Sequence, residues 1–421
     1  MATVLSKNDK RVKIGCYATN VSMAVMGNLS ALLFLTFRLE YNISYSLLGL
    51  LVLINFFTQL IIDLIFSFFS NKFNIPKVIK TMPYITIVGM LVYALWPFVF
   101  PNNVYVGLVI GTIIFSAANG LAEVLISPTI AALPSDNPEH EMSKLHSIYA
   151  WGVVGVVVFC ALFFAIFKRE NWQWLTIILM IIPLFSAIAF STVKLPEMQN
   201  DEKTLEVKDL VKNKQLWVCF IGIFLGGASE IVMAQWSSSY LEQALGIEKI
   251  WGDIFGVALF SIMLGLGRTL YAKYGKNVEK VMFIGAIGAT VCYLVAVFTP
   301  LAIFGLLACG FTGLFVAMMW PGSLIVVQER IPLGGVFIFA MMAAGGDMGA
   351  ALAPQLVGVI TDAISLSPQM IELASSMNVQ IEVLAMKAGM LVGVFFPLVA
   401  IFIYLYQMKT KKRFTLLNET K

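Results

Sequence analysis

Ser116, Asn119, Glu123 and Ser127 recur three to four positions apart, so on a helix they share one face and line something polar. They sit in an apolar run covering about residues 104–128, and a run of about 20 apolar residues is what a helix needs to cross a bilayer. A carboxylate inside such a segment is costly and is a functional candidate by default. Pro128 follows five positions after Glu123; a proline removes a backbone donor and frees a carbonyl near the acid. The chemistry on offer is a carboxylate that takes up and releases a proton or holds a polar solute. The plainer reading is a buried Glu satisfied by a neighbouring helix.

A second constellation lies in GGASEIVMAQWSSSY, where Gly226, Glu230, Ala234 and Ser237 share a face and Gln235 and Trp236 are adjacent. An aromatic ring beside amide and carboxylate groups suits a sugar: the ring covers the C–H face and the polar groups meet the hydroxyls. Trp236 and Gln235 could equally serve helix packing. Asn55, Gln59, Asp63 and Ser67 form another stripe at four-residue spacing, and Asp347 sits in AAGGDMGA, whose small residues let a second helix approach. Asp63 and Asp347 are expected to be structural or gating residues. Arg268 is expected to snorkel or pair with an acid near one end of its span. His146 opens a span beside Ser147, Tyr149 and Trp151; it suits hydrogen bonding at a helix mouth or a proton relay. Within the apolar runs Asp63, Glu123, Glu230 and Asp347 outnumber Arg268 and Lys387. An acid neutral in one access state and ionised in another is what proton coupling requires.

The elements that position these groups follow from composition. Of 421 residues, 59% are hydrophobic and 12% charged, and the mean hydropathy is +0.86. Soluble proteins are about a quarter charged, so an ordinary soluble fold is excluded. Apolar runs of spanning length cover about 14–37, 46–70, 79–100, 104–128, 144–167, 172–193, 215–240, 251–272, 279–298, 301–327, 335–361 and 385–408. With the N-terminus inside, about 22 Lys and Arg fall on the cytoplasmic side, Lys72 and the tail among them, and about four outside. Both termini are therefore expected in the cytoplasm, and the first apolar run is expected to be retained as a helix. The charged stretch 194–214 separates a six-span bundle over 1–193 from another over 215–421, and a short surface helix is expected around Thr204–Val211. Lys72-Phe73-Asn74 and Lys273-Tyr274-Gly275 end the second and eighth spans, and Ser127-Pro128 has a counterpart in Trp320-Pro321; such echoes suit a duplicated six-helix unit. A short helix is also expected over Pro368–Ser376. The five cysteines lie in apolar runs without ligand spacing and read as core residues. With only His140 and His146, and no HExxH, P-loop or nucleic-acid motif, neither a metal centre nor a nucleic-acid partner is expected.

The layout of spans, the charged central loop and the basic loops after spans two and eight resemble the major facilitator superfamily. Its loop signature is present in degraded form over Ser67–Asn74. Glu123-Val-Leu-Ile-Ser-Pro128 resembles the Glu-x-x-x-x-Pro of fucose–proton symporter-like permeases. Leu145-His146-Ser147-Ile-Tyr149-Ala-Trp151-Gly152 is similar to their helix-five opening. Glu230 with Trp236, Met319-Trp320-Pro321-Gly322 and Gly346-Asp347-Met-Gly349 also look like a bacterial branch of that group. The resemblance implies alternating access around a central site, with Glu123 at the position of a glutamate tied to proton-coupled sugar binding. The acid those symporters carry in span one is absent, where Gly27-Asn28-Leu29-Ser30-Ala31 stands; Asn20 and Asn28 offer amides there instead.

The expectation is an all-α membrane protein of twelve spans in two pseudo-symmetric bundles, in the inner membrane, transporting a small polar solute such as a sugar or polyol by symport. Glu123 is the coupling candidate. Asn20, Asn28, Asn119, Ser127, His146, Trp151, Glu230, Gln235, Trp236 and Trp320 are cavity candidates, and Asp63, Lys72, Arg268 and Asp347 are structural or gating candidates. The proton gradient stands in place of a cofactor, with sodium the other ion the acids would suit. A single chain is expected to suffice, with lipid and solute as its partners. The rival reading is a proton-coupled efflux pump for cationic or amphipathic compounds, whose greasy pocket the many Met and Phe residues would line. An enzyme is not expected, because no nucleophile stands with a positioned base.

Overall fold

The computed structural model describes residues 6–69, 72–135, 138–196, 207–331 and 335–419. They form helices and connecting turns, with no strand among them. In chain order the helices are α1 (Lys7–Leu32), α2 (Phe34–Tyr41), α3 (Tyr45–Phe69), α4 (Ile75–Val99), α5 (Val104–Ala131), α6 (Pro138–Phe167), α7 (Trp172–Leu179) and α8 (Ile181–Ser191). They continue with α9 (Val207–Lys212), α10 (Lys214–Leu245), α11 (Lys249–Trp251), α12 (Leu259–Tyr274), α13 (Val278–Phe298), α14 (Ala302–Val316), α15 (Met319–Arg330), α16 (Gly335–Ser365), α17 (Pro368–Ser376) and α18 (Ile381–Glu419). A π-helical stretch, Gly252–Ala258, joins α11 to α12. Among the described residues 11 helices are long and apolar enough to cross a membrane, or 12 when α1 and α2, bent by 41°, are counted as one span. The expected helix over Pro368–Ser376 is present as α17. Val207–Lys212 is the described part of the expected surface helix; Thr204–Glu206 lie outside the described residues.

Local sequence sets the ends of these helices. Ser6 and Asp9 form a reciprocal capping box at α1, and Asn74, Asn213 and Asn277 accept hydrogen bonds from backbone N–H groups at the starts of α4, α10 and α13. Gly246, at φ 66°, ends α10 in the left-handed conformation that a glycine adopts without strain. Prolines account for two breaks. Pro183 cannot donate to the Leu179 carbonyl, where α7 gives way to α8, and Pro321 cannot donate to Ala317, where α14 gives way to α15. Leucine, isoleucine and phenylalanine side chains such as Ile166, Phe298 and Phe402 remain exposed along the helices. An apolar exterior of this kind is what a lipid-facing surface requires, since lipid satisfies no polar group.

The chain divides into two compact units. Unit 1 comprises Met1–Ile43 and Ile54–Asn200, and unit 2 comprises Ser44–Leu53 and Asp201–Lys421. In unit 1 glycines bring helices together: a Cβ on Gly89 of α4 would lie 2.6 Å from the Phe115 nitrogen of α5. Val12, Ile79, Met82, Leu125 and Phe190 share one buried cluster. The rings of Phe37, Tyr93 and Trp172 pack edge to face in another. In unit 2, α10 is the central element. Tyr293 of α13 donates to the Ser229 carbonyl at 2.9 Å, Tyr404 of α18 donates to Gly222 at 2.8 Å, and Tyr240 of α10 donates to Ala296 at 2.6 Å. Each buried phenol thus finds an acceptor, and the three fix α10 against its neighbours.

Candidate functional site

In unit 1 the two polar stripes face each other. Ser116 of α5 donates to the Asn55 side-chain oxygen of α3 at 2.5 Å. One turn on, a Cβ at Gly120 would lie 3.0 Å from the Gln59 carbonyl oxygen, so the backbones are nearly in contact there. A further turn on, the carboxylate oxygens of Asp63 and Glu123 lie within 4.8 Å of each other. Asp63 is buried and Glu123 is exposed. Two like charges at that separation repel by about 3–4 kcal/mol at an effective dielectric of about 20. A single proton or cation held by the pair relieves that repulsion. Asn119, on the adjoining face of α5, lines a small, mostly apolar cleft in which Thr19, Ser22, Thr86 and Ser186 supply the other polar groups. The Ser22 hydroxyl there is buried with no protein partner among the described residues, which suits an ordered water.

Unit 2 presents the opposite electrostatics. Arg268 of α12 donates from Nη2 to both Glu230 carboxylate oxygens of α10, each at 3.2 Å. Its Nε donates to the Ala317 carbonyl at 3.2 Å. Ala317 is the residue whose carbonyl Pro321 leaves without its helical donor, so the break between α14 and α15 supplies the guanidinium with an acceptor. The Glu230 side chain is 12% exposed and that of Arg268 36%. The Trp320 ring packs on Gly227 and Gly346, where a Cβ on either glycine would strike it. Asp347, next to Gly346 in α16, is buried.

A family model described as the Major Facilitator Superfamily matches residues 16–354. The chain belongs to the major facilitator superfamily. It is 25% identical over 273 residues to the MFS-type transporter YtbD of Bacillus subtilis (strain 168), covering 62% of this chain and 67% of that one. Among solved structures, a bacterial homologue of the human lysosomal transporter Spinster matches with a TM-score of 0.76 at 13% identity, over 97% of this chain and 98% of its own. A D-xylose–proton symporter matches at 0.70 and 18% identity, over 94% and 96%. The Escherichia coli fucose–proton symporter FucP matches at 0.62 and 13%, over 95% and 99%. At these identities the structural likeness establishes the fold, and the family establishes a membrane transporter and not an enzyme.

The other expected residues of this facilitator are distributed as follows. Asn20 donates to the Leu145 carbonyl at 2.6 Å and so ties α1 to α6, while Asn28 donates to Ala24 of its own helix at 2.9 Å. Trp236 is fully buried, donates to the Pro354 carbonyl at 3.1 Å and packs against Tyr45. Gln235 is buried too. Trp151 is 68% exposed, on the stripe of α6 that carries Phe159, Leu162 and Ile166, so it shares the exposed apolar face of that helix. Lys72 is exposed, its ammonium 5.0 Å from the Phe69 ring centroid. The side chains of Ser67, Ser127 and His146 lie outside the described residues. One residue escaped the sequence reading. Asp362, in the last turns of α16, accepts from the backbone N–H groups of Tyr45 at 3.0 Å and Ser46 at 2.6 Å, capping the start of α3 from another helix. The expected end of that span at residue 361 had put it in a loop.

Proposed function

We propose that this facilitator is a proton-coupled symporter of a small polar solute, a sugar or related polyol, in the cytoplasmic membrane. The observation that carries the reading is the acid pair Asp63–Glu123, with carboxylate oxygens within 4.8 Å on adjoining helices of unit 1. Glu123 is exposed, so it can exchange protons with water, while buried Asp63 makes the site costly to leave doubly charged. The names of two structural relatives, the fucose and D-xylose symporters, support a sugar and a proton as the transported pair. In this reading both termini are cytoplasmic, the stretch 194–214 links two six-helix halves, and one chain suffices. Solute and proton bind between helices near mid-span, and alternate exposure of the two halves carries both across. No cofactor takes part; the proton gradient drives the cycle.

The test uses purified protein in liposomes loaded with a pH-sensitive dye, challenged with pools of sugars, polyols and nucleosides. Solute-dependent acidification of the lumen is the expected result. Solute uptake with no proton movement would remove the coupling, and silence to every pool would remove the solute class.

A further inference from the structure

Two arginines within the helices of unit 2 are held in different ways. Arg330, ending α15, is fully engaged. Nη1 donates to Gln215 at 2.7 Å and Thr410 at 3.4 Å, Nη2 donates to the Gln407 carbonyl at 2.6 Å, and Glu279 lies 3.9 Å away. Its side chain is 4% exposed. That is an arginine built into a core. Arg268 is held through Nε and Nη2, by longer bonds, and its Nη1 has no hydrogen-bond partner among the described residues while the side chain stays 36% exposed. Nor does it turn toward the exposed apolar side of α12. Ile262, Leu266 and Leu270 mark that side, and Arg268 lies opposite them on the face of buried Ser261 and Leu264. A guanidinium held at two corners, with its third left open, is pre-organised to donate to an incoming acceptor.

The partner that holds it also sets the charge of what it can receive. Glu230 already balances Arg268, so a hydroxyl or ring oxygen accepting from Nη1 leaves the site neutral. A carboxylate there would leave a net negative charge between helices and an ammonium a net positive one, and uncompensated charge in such surroundings is strongly disfavoured. We propose that Arg268 is a solute-binding residue that donates from Nη1 to an oxygen of an uncharged polyhydroxylated solute. Glu230 is its positioning residue: it aims the guanidinium and keeps the site neutral, so that acid and amine analogues of the same sugar are rejected. This rests on the sugar or polyol reading above and narrows it to neutral members of that class.

The test measures thermal unfolding of the purified full chain with matched ligands: glucose, glucuronate and glucosamine, then galactose, galacturonate and galactosamine. A ligand that binds the native state raises the melting temperature. Wild type should respond to a neutral sugar and not to its acid or amine. Glu230→Gln, which leaves Arg268 unbalanced, should reverse the preference toward the acid by about tenfold in apparent affinity, since about 1.4 kcal/mol is a factor of ten. The double variant Glu230→Gln/Arg268→Gln carries no stranded charge; it should return to neutral sugars with weaker binding, and it serves as the test should the single variant not fold. An acid or amine acting on wild type as strongly as the neutral sugar overturns the inference. So does an unchanged preference in Glu230→Gln, or an unchanged affinity in the double variant. A wild type indifferent to every one of these ligands overturns the sugar reading itself, a distinct failure from the others.

Discussion

Glu123 of unit 1 and Glu230 of unit 2 stand in opposite company. In unit 1, Glu123 has another acid, Asp63, within 4.8 Å; in unit 2, Glu230 has Arg268 at 3.2 Å and shares it with a carbonyl. An acid beside an acid responds to a proton, because protonation removes a repulsion. An acid beside an arginine is already compensated, and protonating it would strand the guanidinium. In the symport proposed above, the difference gives unit 1 the coupling and unit 2 the neutral grip on solute, although both acids stand on the same kind of stripe in the sequence.

Stability measurements break or sharpen this comparison. The largest effect expected is for Arg268→Gln, which leaves a Glu230 only 12% exposed without its partner. Breaking a fully buried pair costs more, but the side chain of this arginine is 36% exposed, so a loss of about 2 kcal/mol is expected in thermal or denaturant unfolding in detergent. Gly227→Ala should cost about 1–2 kcal/mol by overpacking. Its new Cβ would lie 2.5 Å from the Gly346 carbonyl oxygen, forcing α10 and α16 apart beside Trp320. Asp362→Ala removes the acceptor for two backbone donors at the start of α3, and a loss of about 1–2 kcal/mol should appear in the same assay. Trp236→Phe drops the bond to Pro354 and leaves the space of the lost five-membered ring at a fully buried site, for about 1–2 kcal/mol. The smallest effect, and the one that separates the units most sharply, is Glu123→Gln: with a repulsion removed, stability should hold within about 0.5 kcal/mol or rise. A Glu123→Gln protein destabilised as much as Arg268→Gln would mean that the two acids are held alike.

Much of this arrangement was legible in the chain. Polar residues at helical spacing inside apolar runs can hardly be anything but a lined face, which is why the stripes of α3 and α5 stood out. That they line each other was not legible, because pairing of distant helices depends on the close approach at Gly120, and a lone glycine in a span gives no partner. Trp236 shows the opposite limit. Around it Gln235, Ser237, Ser238 and Ser239 are all buried, so polarity on α10 does not mark the exposed side and the tryptophan reads the same as a cavity residue. The grip on Arg268 needed three elements at once, yet one of its parts was visible: Pro321 orphans the carbonyl four residues before it, at Ala317. Asp362 was lost because α16 runs on to Ser365, past the last strongly apolar residues from which the span was read.

The measurement that tests the division of labour most directly compares wild type and Glu123→Gln in proteoliposomes, with labelled neutral sugar followed in two modes. One mode is exchange of sugar for sugar without a gradient, and the other is accumulation driven by an imposed pH gradient. Exchange should survive in the variant, since the proposed grip lies in unit 2, while gradient-driven accumulation should fall to the level of passive equilibration. Accumulation that keeps its full dependence on the pH gradient in Glu123→Gln would contradict the account at its centre.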